Sequence, residues 1–278
     1  NSPHILQVSG IGPAAHLQSI GVNVLHNAPG VGDNLTDHYV VRISHRIKDM
    51  ITINQMAYGP RLVGEIFKYA FRGNGALTMG VTAAMVFSRS REGLSSPDLQ
   101  LLFTPTSYSG RVIGDLEKKP GISVAICPVR PESRGTIMAE SSDPLERPII
   151  RPNYLSAESD THVLFAGIQQ TKRILEAPAM AEVSLGETVP NREIDSAEEA
   201  KKYAQEAGAT IYHPVGTCRM GEDATAVVDS RLRVNGIDGL RVIDASVMPT
   251  VTTGNTNAPT IMIGEKGAAM IKEDAAAS

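Results

Sequence analysis

Ile211-Tyr212-His213-Pro214-Val215-Gly216-Thr217-Cys218-Arg219-Met220-Gly221 sets one imidazole in a segment that proline stiffens and glycine tightens. The ring of His213 is therefore expected to hold one orientation. Its unperturbed pKa of about 6.5 leaves neutral imidazole available near neutral pH, which makes it a candidate general base. Downstream, Gly254-Asn255-Thr256-Asn257-Ala258-Pro259-Thr260 joins a turn glycine and two carboxamides to a proline suited to opening a helix. The amides at such a helix start favour a nearby anion. Taken alone, His213 reads first as a hydrogen-bonded core histidine and Asn257 as a helix cap. Their shared context gives them weight, since the chain continues through Gly239-Leu240-Arg241-Val242-Ile243-Asp244-Ala245-Ser246-Val247-Met248-Pro249 to Ile261-Met262-Ile263-Gly264-Glu265-Lys266.

The bulk composition narrows the partner. With 278 residues there is ample material for a core, and 26 basic against 30 acidic residues leave a net charge of -4. That balance speaks against nucleic acid or an anionic membrane surface and for a small molecule. Cys127 and Cys218 are the two cysteines, 218 - 127 = 91 positions apart, which fits neither a disulfide framework nor a metal or redox Cys pair. No metal is expected. No apolar run reaches the roughly 18 residues of a membrane span, and Asn1-Ser2-Pro3-His4 lacks a signal pattern, so a cytoplasmic setting is expected. Peripheral membrane association would leave no trace in such features.

Periodicity divides the chain into three stretches. Over 1–38, Ser2 and Pro3 predict a capped helix ending at Gly10, followed by a short helix over 14–19 and a short strand over 22–25. Gly10-Ile11-Gly12 and Gly30-Val31-Gly32 read as turns, because neither has the third glycine of a dinucleotide fingerprint. Val31-Gly32-Asp33-Asn34-Leu35-Thr36-Asp37-His38 reads as a hydrogen-bonded structural loop. Over 39–206, apolar runs at 99–104, 122–129 and 136–140 predict strands, the last two as a hairpin turning at Pro131-Glu132-Ser133-Arg134-Gly135. Strands without regular helical crossovers imply an antiparallel sheet, and Val163, Ile168, Ile174 and Leu175 predict an amphipathic helix packed on it. Over 207–278 a short strand at 240–244 precedes a helix over 258–270, whose Ile261, Met262, Ile263, Ala268, Ala269 and Met270 would cover one broad side. The tail Ala275-Ala276-Ala277-Ser278 is expected to be disordered.

These segments, in this order, resemble the carboxy-terminal half of the glucose-methanol-choline (GMC) oxidoreductases, nearest to the choline dehydrogenase and alcohol dehydrogenase branch. The resemblance implies a mixed α/β chain, with part of an FAD-binding Rossmann-like domain and an antiparallel-sheet substrate domain with helices. Residues 1–38 would belong to the FAD-binding domain, 39–206 would form the substrate-binding domain, and 207–278 would return to the FAD-binding domain with the active-site loops. The amino-terminal phosphate-binding glycine unit of the family is absent here, so the chain is expected to be a fragment whose partner is the missing amino-terminal half.

The resemblance also implies the chemistry: FAD-dependent oxidation of a primary alcohol to an aldehyde, with hydride passing to flavin N5 and the hydroxyl proton to His213. The second oxygen contact is expected at Asn257, because 257 - 213 = 44 matches the family spacing and selects it over Asn255. A carboxamide is no base, which leaves proton transfer to His213 alone. Tyr212, His213, Asp244, Ala245, Asn257, Ala258 and Pro259 are the expected cofactor contacts. Cys218 reads as a packed thiol. Three other readings stand beside this one. A hydroxynitrile lyase of the same family tends to carry a second histidine where this chain has Asn257. A flavin photodecarboxylase lacks the histidine at the position of His213. A non-catalytic fragment acting alone would leave backbone groups of its first helix unsatisfied.

Overall fold

The computed structural model describes residues 1–109 and 115–277. In chain order the helices are α1 (Ser2–Val8), α2 (Ala14–Ser19), α3 (Ile53–Met56), α4 (Gly59–Arg72), α5 (Glu158–Leu175), α6 (Pro178–Ala181), α7 (Ala197–Ala207) and α8 (Asn257–Ala277). The strands are β1 (Ile11–Gly12), β2 (His26–Asn27), β3 (Tyr39–Ile47), β4 (Ala84–Ser88), β5 (Leu99–Thr104), β6 (Gly121–Pro128), β7 (Thr136–Met138), β8 (Ile149–Arg151), β9 (Ser184–Val189) and β10 (Ala209–Thr210). They form two units, one of Tyr39–Val129 and Glu158–Thr210, the other of Asn1–His38, Arg130–Ala157 and Ile211–Ser278.

The first of these units is built on an antiparallel sheet ordered β10-β3-β6-β5-β4, with β9 also pairing β3. β5 and β6 are almost wholly buried, which explains why they read as near-continuous apolar runs rather than alternating ones. α5 packs against them through Gly167, where an added Cβ would stand 2.5 Å from Ile126 and 2.7 Å from Leu99. The helix presents Leu164, Gly167, Ile168, Thr171 and Leu175 to the core. Ile168 and Leu175 are buried as expected, whereas Ile174, expected on the same face, is exposed, because the inward stripe runs through Thr171 to Leu175.

Residues 122–129 and 136–140 do not form the expected hairpin. β6 takes β3 and β5 as partners, whereas β7 pairs with β8. The intervening turn residues are claimed by other segments: Gly135 exchanges both backbone hydrogen bonds with Leu35 at 2.9 Å, and Ile137 N donates to Gly32 O at 2.7 Å. Gly135 is needed for that approach, since a Cβ would lie 2.2 Å from Arg151 O. Accordingly 130–157, placed by the sequence reading within the 39–206 domain, packs with the other unit.

That other unit has a core of small β-branched residues, among them Val31, Val215, Val228, Val234, Val247 and Val251, with Leu6 and Ile263. Gln7, fully buried on α1, stitches it together: its Oε1 accepts from Ala139 N at 2.6 Å and its Nε2 donates to Ile137 O at 3.0 Å. Several local expectations shift here. Asn1, not Ser2, is the N-cap of α1, and the Ser2 hydroxyl donates instead to Asp244. The short strand falls at β2, one step beyond 22–25, because Leu25 N and His26 N both reach Gly10 O and β2 pairs in parallel with β1. Residues 240–244 make an isolated bridge between Arg241 and Arg233 rather than a strand.

α8 runs past 270 to Ala277, so Ala275, Ala276 and Ala277, expected to be disordered, are helical; Ser278 lies outside the described residues. The extension is held by arginines on the 229–241 segment. Arg231 donates to Asp274 at 2.7 Å, Glu273 at 3.1 Å and Met270 O at 3.2 Å, and Arg241 also pairs with Asp274. One narrow side of α8 packs inward, with Ile263 buried and Gly267 against Ile243. The broad apolar side expected from sequence is not covered within the unit: Ile261 and Met262 are each 58 % exposed. Among the described residues no helix is long and apolar enough to cross a membrane.

Candidate active site

The loop carrying His213 is laced to 32–38 along its length. Ile211 N donates to His38 O at 3.1 Å, Thr36 and Val215 exchange backbone bonds at 3.0 and 2.8 Å, and Gly32 N donates to Thr217 O at 2.9 Å. Beyond the turn, Cys218 N and Met220 N donate to Ser246 O and Val247 O at 2.9 and 2.8 Å. Gly216 makes the turn possible: its φ is 95°, and a Cβ there would stand 2.4 Å from Asn34 O. Asn34 locks the same corner, its Nδ2 donating to Gly216 O and Pro249 O at 3.3 and 3.1 Å and its Oδ1 accepting from Arg134 Nε at 3.0 Å.

The result is a buried imidazole, 8 % exposed, with a polar neighbour at each ring nitrogen. His213 Nδ1 lies 2.9 Å from Nδ1 of His38, the rings meeting edge-to-face at 79°. His213 Nε2 lies 3.4 Å from Nδ2 of Asn255. Asp37 clamps the backbones of both histidines, its Oδ1 accepting from His38 N at 2.8 Å and from His213 N at 2.9 Å. The other oxygen, Oδ2, accepts from the Tyr154 hydroxyl at 2.5 Å. Burial pushes the pKa of His213 below the ordinary histidine value, and the nearby Asp37 carboxylate only partly offsets this. The site thus holds a neutral imidazole in a fixed frame, suited to accepting a proton at one nitrogen.

Other sequence-selected residues fall as follows. Tyr212, at φ 64°, is 71 % exposed. Asn257 is the first residue of α8 and exposed, and Ala258 beside it is exposed as well. The asparagine facing the His213 imidazole is therefore Asn255, which the spacing argument had set aside in favour of Asn257. Asp244 caps the 3-10 turn Ala245–Val247, accepting from Ser246 N at 2.7 Å. Burial pushes its carboxyl up, but hydrogen bonds from Ser2 and Ser246 prevail and hold it below the usual range. Cys218 is packed as expected, and burial drives its thiol up to about 12. Among the described residues no group of His, Cys, Asp and Glu side chains could hold a metal ion.

Sequence reasoning missed Asp37, His38, Tyr154 and Asn255 as parts of one cluster. Asp37 and His38 were visible as an acid beside an imidazole, but nothing local tells that a loop at 37–38 closes on one at 213. Tyr154 had no signal at all.

Residues 131–264 match the family model described as GMC oxidoreductase. This α/β chain belongs to the GMC oxidoreductases. It is 40 % identical over 274 residues to an alcohol dehydrogenase [acceptor] of Pseudomonas putida, the match covering 98 % of this chain and 49 % of the relative. It is 37 % identical to an oxygen-dependent choline dehydrogenase of Serratia proteamaculans, again over 98 % of this chain and 49 % of the relative. The chain therefore spans about half the length of the curated relatives it matches. Among solved structures, formate oxidase of Aspergillus oryzae superposes with a TM-score of 0.91 at 26 % identity, covering 98 % of this chain and 52 % of that one. Pyridoxine 4-oxidase superposes with a TM-score of 0.82 at 26 % identity, over 98 % of this chain and 49 % of that one.

Proposed function

We propose that this region works, together with an FAD-binding segment of the length its relatives possess, as the proton-accepting half of a flavoenzyme that oxidises a primary alcohol to an aldehyde. The observation that carries the reading is the buried, neutral imidazole of His213, fixed at Nδ1 and faced at Nε2 by a carboxamide. Names of relatives such as alcohol dehydrogenase and choline dehydrogenase support it. His213 Nε2 takes the hydroxyl proton, because the carboxamides of Asn255 and Asn257 cannot act as bases. Asn257 contacts the substrate oxygen from the start of α8, while Asn255 steadies the imidazole.

FAD fits the donors present. The first amides of α8, at Asn257 and Ala258, precede the first intrahelical donor, Thr260 N, and stand at an exposed helix start, where a group gaining negative charge is favoured. The dipole contributes about 0.3–2 kcal/mol there, enough to tune reduction rather than create it. When bound, the flavin supplies a hydride acceptor at N5. Tyr212, His213, Ala245 and Pro259 complete the proposed cofactor contacts, with Asp244 acting through the turn it caps because its carboxylate is already engaged. Cys127 and Cys218, both buried thiols, support a reducing, cytoplasmic setting.

Anaerobic mixing of the full-length flavoenzyme with a panel of primary alcohols tests the reading. Bleaching of the oxidised flavin is expected with at least one alcohol, slowed roughly 10²- to 10⁴-fold by His213→Ala. A flavin that no alcohol reduces, or a variant as fast as the parent, defeats it.

A further inference from the structure

We propose that His38 is a positioning residue that fixes the tautomer of His213, so that the lone pair of Nε2, and not that of Nδ1, is the one offered to substrate. The inference rests on the alcohol-oxidation reading for its consequence but not for its geometry. Two Nδ1 atoms 2.9 Å apart can share a hydrogen bond only if one of them carries the proton. If His38 donates, His213 must carry its own proton on Nε2 and cannot act as a base there. If His213 donates, its Nε2 is bare.

The other side of the ring decides between them. Asn255 points its amide Nδ2, a donor, at His213 Nε2, which must then be an acceptor. His213 therefore carries Nδ1-H, and His38 Nδ1 accepts it. His38 is fully buried, and its backbone is pinned by Asp37, which also holds the His213 backbone, so the two rings leave fixed points of the chain and packing closes round them. Beside the pair stands Asp37, whose carboxylate binds the backbone amides of both histidines and the Tyr154 hydroxyl.

The arrangement resembles a catalytic triad with its carboxylate replaced by a neutral imidazole. When Nε2 takes the hydroxyl proton, the substrate O-H replaces the long Asn255 contact on the Nε2 lone pair, the O-H bond breaks and an N-H bond forms there, while the Nδ1 proton stays in place, donated to His38. A neutral acceptor orients the base without the large rise in basicity that a carboxylate would bring. That agrees with a histidine held below its ordinary pKa.

The test uses the full-length flavoenzyme, labelled with 15N-histidine, as wild type, His38→Asn and His38→Leu. Asparagine offers Oδ1 near the place of Nδ1, whereas leucine offers no acceptor. Nitrogen shifts are expected to show His213 protonated on Nδ1 in the wild type and in His38→Asn, and a mixture of tautomers in His38→Leu. The rate of flavin reduction should fall on the order of 100-fold in His38→Leu, short of the ~10⁴-fold loss of a reversed tautomer. The acid limb of its pH profile should move to lower pH, since the imidazolium loses its acceptor; His38→Asn should restore both within about tenfold. His213 protonated on Nε2 in the wild type overturns the proposal, as does a His38→Leu enzyme with unchanged tautomer and pH profile. Should His38→Leu fail to fold, the wild-type tautomer and the His38→Asn profile still decide. Nδ1-protonated His213 in an enzyme that no alcohol reduces upholds the tautomer assignment and removes only the oxidation reading.

Discussion

His213 and His45 are both buried histidines, and burial pushes both below the ordinary imidazole pKa, yet their surroundings differ in kind. His45 sits on β3 of the antiparallel sheet with Nδ1 2.8 Å from Ser184 Oγ, beside an open cleft of about 740 Å³ that Lys172, Glu176, Glu187 and Arg192 also line. His213 sits on a loop between two residues that break regular backbone, Tyr212 at φ 64° and Gly216 at φ 95°. A nitrogen partner stands at each of its ring nitrogens. Burial and a shifted pKa are thus shared by a strand residue and a candidate base. What separates them is whether both ring nitrogens are oriented, and whether scaffold irregularity has been used to orient them.

The largest expected effect breaks the comparison directly. In the full-length flavoenzyme His213→Ala should lower the rate of flavin reduction by roughly 10²- to 10⁴-fold, and His45→Ala should leave it within a few-fold. Stopped-flow absorbance reads both. Equal losses would mean that the distinction drawn from ring-nitrogen partners has no functional meaning.

Glycine substitutions sharpen it next. Gly167→Val thrusts side-chain atoms into Ile126 and Leu99 and should cost about 1–3 kcal/mol of stability in thermal unfolding, with catalysis per folded molecule unchanged. Gly216→Ala meets a backbone oxygen at 2.4 Å and a φ that alanine resists, a backbone cost of about 1–2 kcal/mol. Its larger signature should be in the turnover of folded enzyme, because the corner that aims His213 moves. A Gly216→Ala enzyme with parental kcat would show that the loop need not be held so tightly.

Acid pH should then affect the two histidines alike in stability and unlike in activity. Each has a folded pKa lowered from 6.5, so each contributes stability that is present above the unfolded value and is lost as pH falls below about 6.5 through the folded value. The kcat/KM profile should hold its plateau to below pH 6.5 and fall with the protonation of His213. Replacing His45 with Gln should lessen the acid destabilisation and leave that limb where it was. An activity limb above the ordinary histidine pKa would contradict the direction of the shift.

Much of this was legible in sequence where chemistry is local. The 99–104 strand, the 14–19 helix and the antiparallel sheet were readable because periodicity, proline and glycine act over a few residues. The hairpin failed because Gly135 and Ile137 spend their backbone groups on Leu35 and Gly32, a choice made a hundred residues away. The disordered tail failed because Arg231 and Arg241 reach Asp274, an ion-pair closure with no local signature. His38 was seen only as a loop residue for the same reason: its partner lies 175 positions along the chain.

The smallest expected effect concerns the two asparagines, which spacing and geometry rank differently. Asn255 faces His213 Nε2 across 3.4 Å, a long hydrogen bond, so Asn255→Ala should cost about 0.5–1.5 kcal/mol, some two- to twelve-fold in kcat/KM, with a small shift in the acid limb. Asn257 opens α8 and is exposed, so Asn257→Ala should leave the acid limb unmoved and act on kcat alone if its amide meets the substrate oxygen only as charge develops. The pH profile is the discriminating readout, because an amide beside the imidazole tunes its proton affinity and an amide on the substrate does not. A limb that moves with Asn257 and stays with Asn255 would reverse the two assignments and restore the order that spacing alone implies.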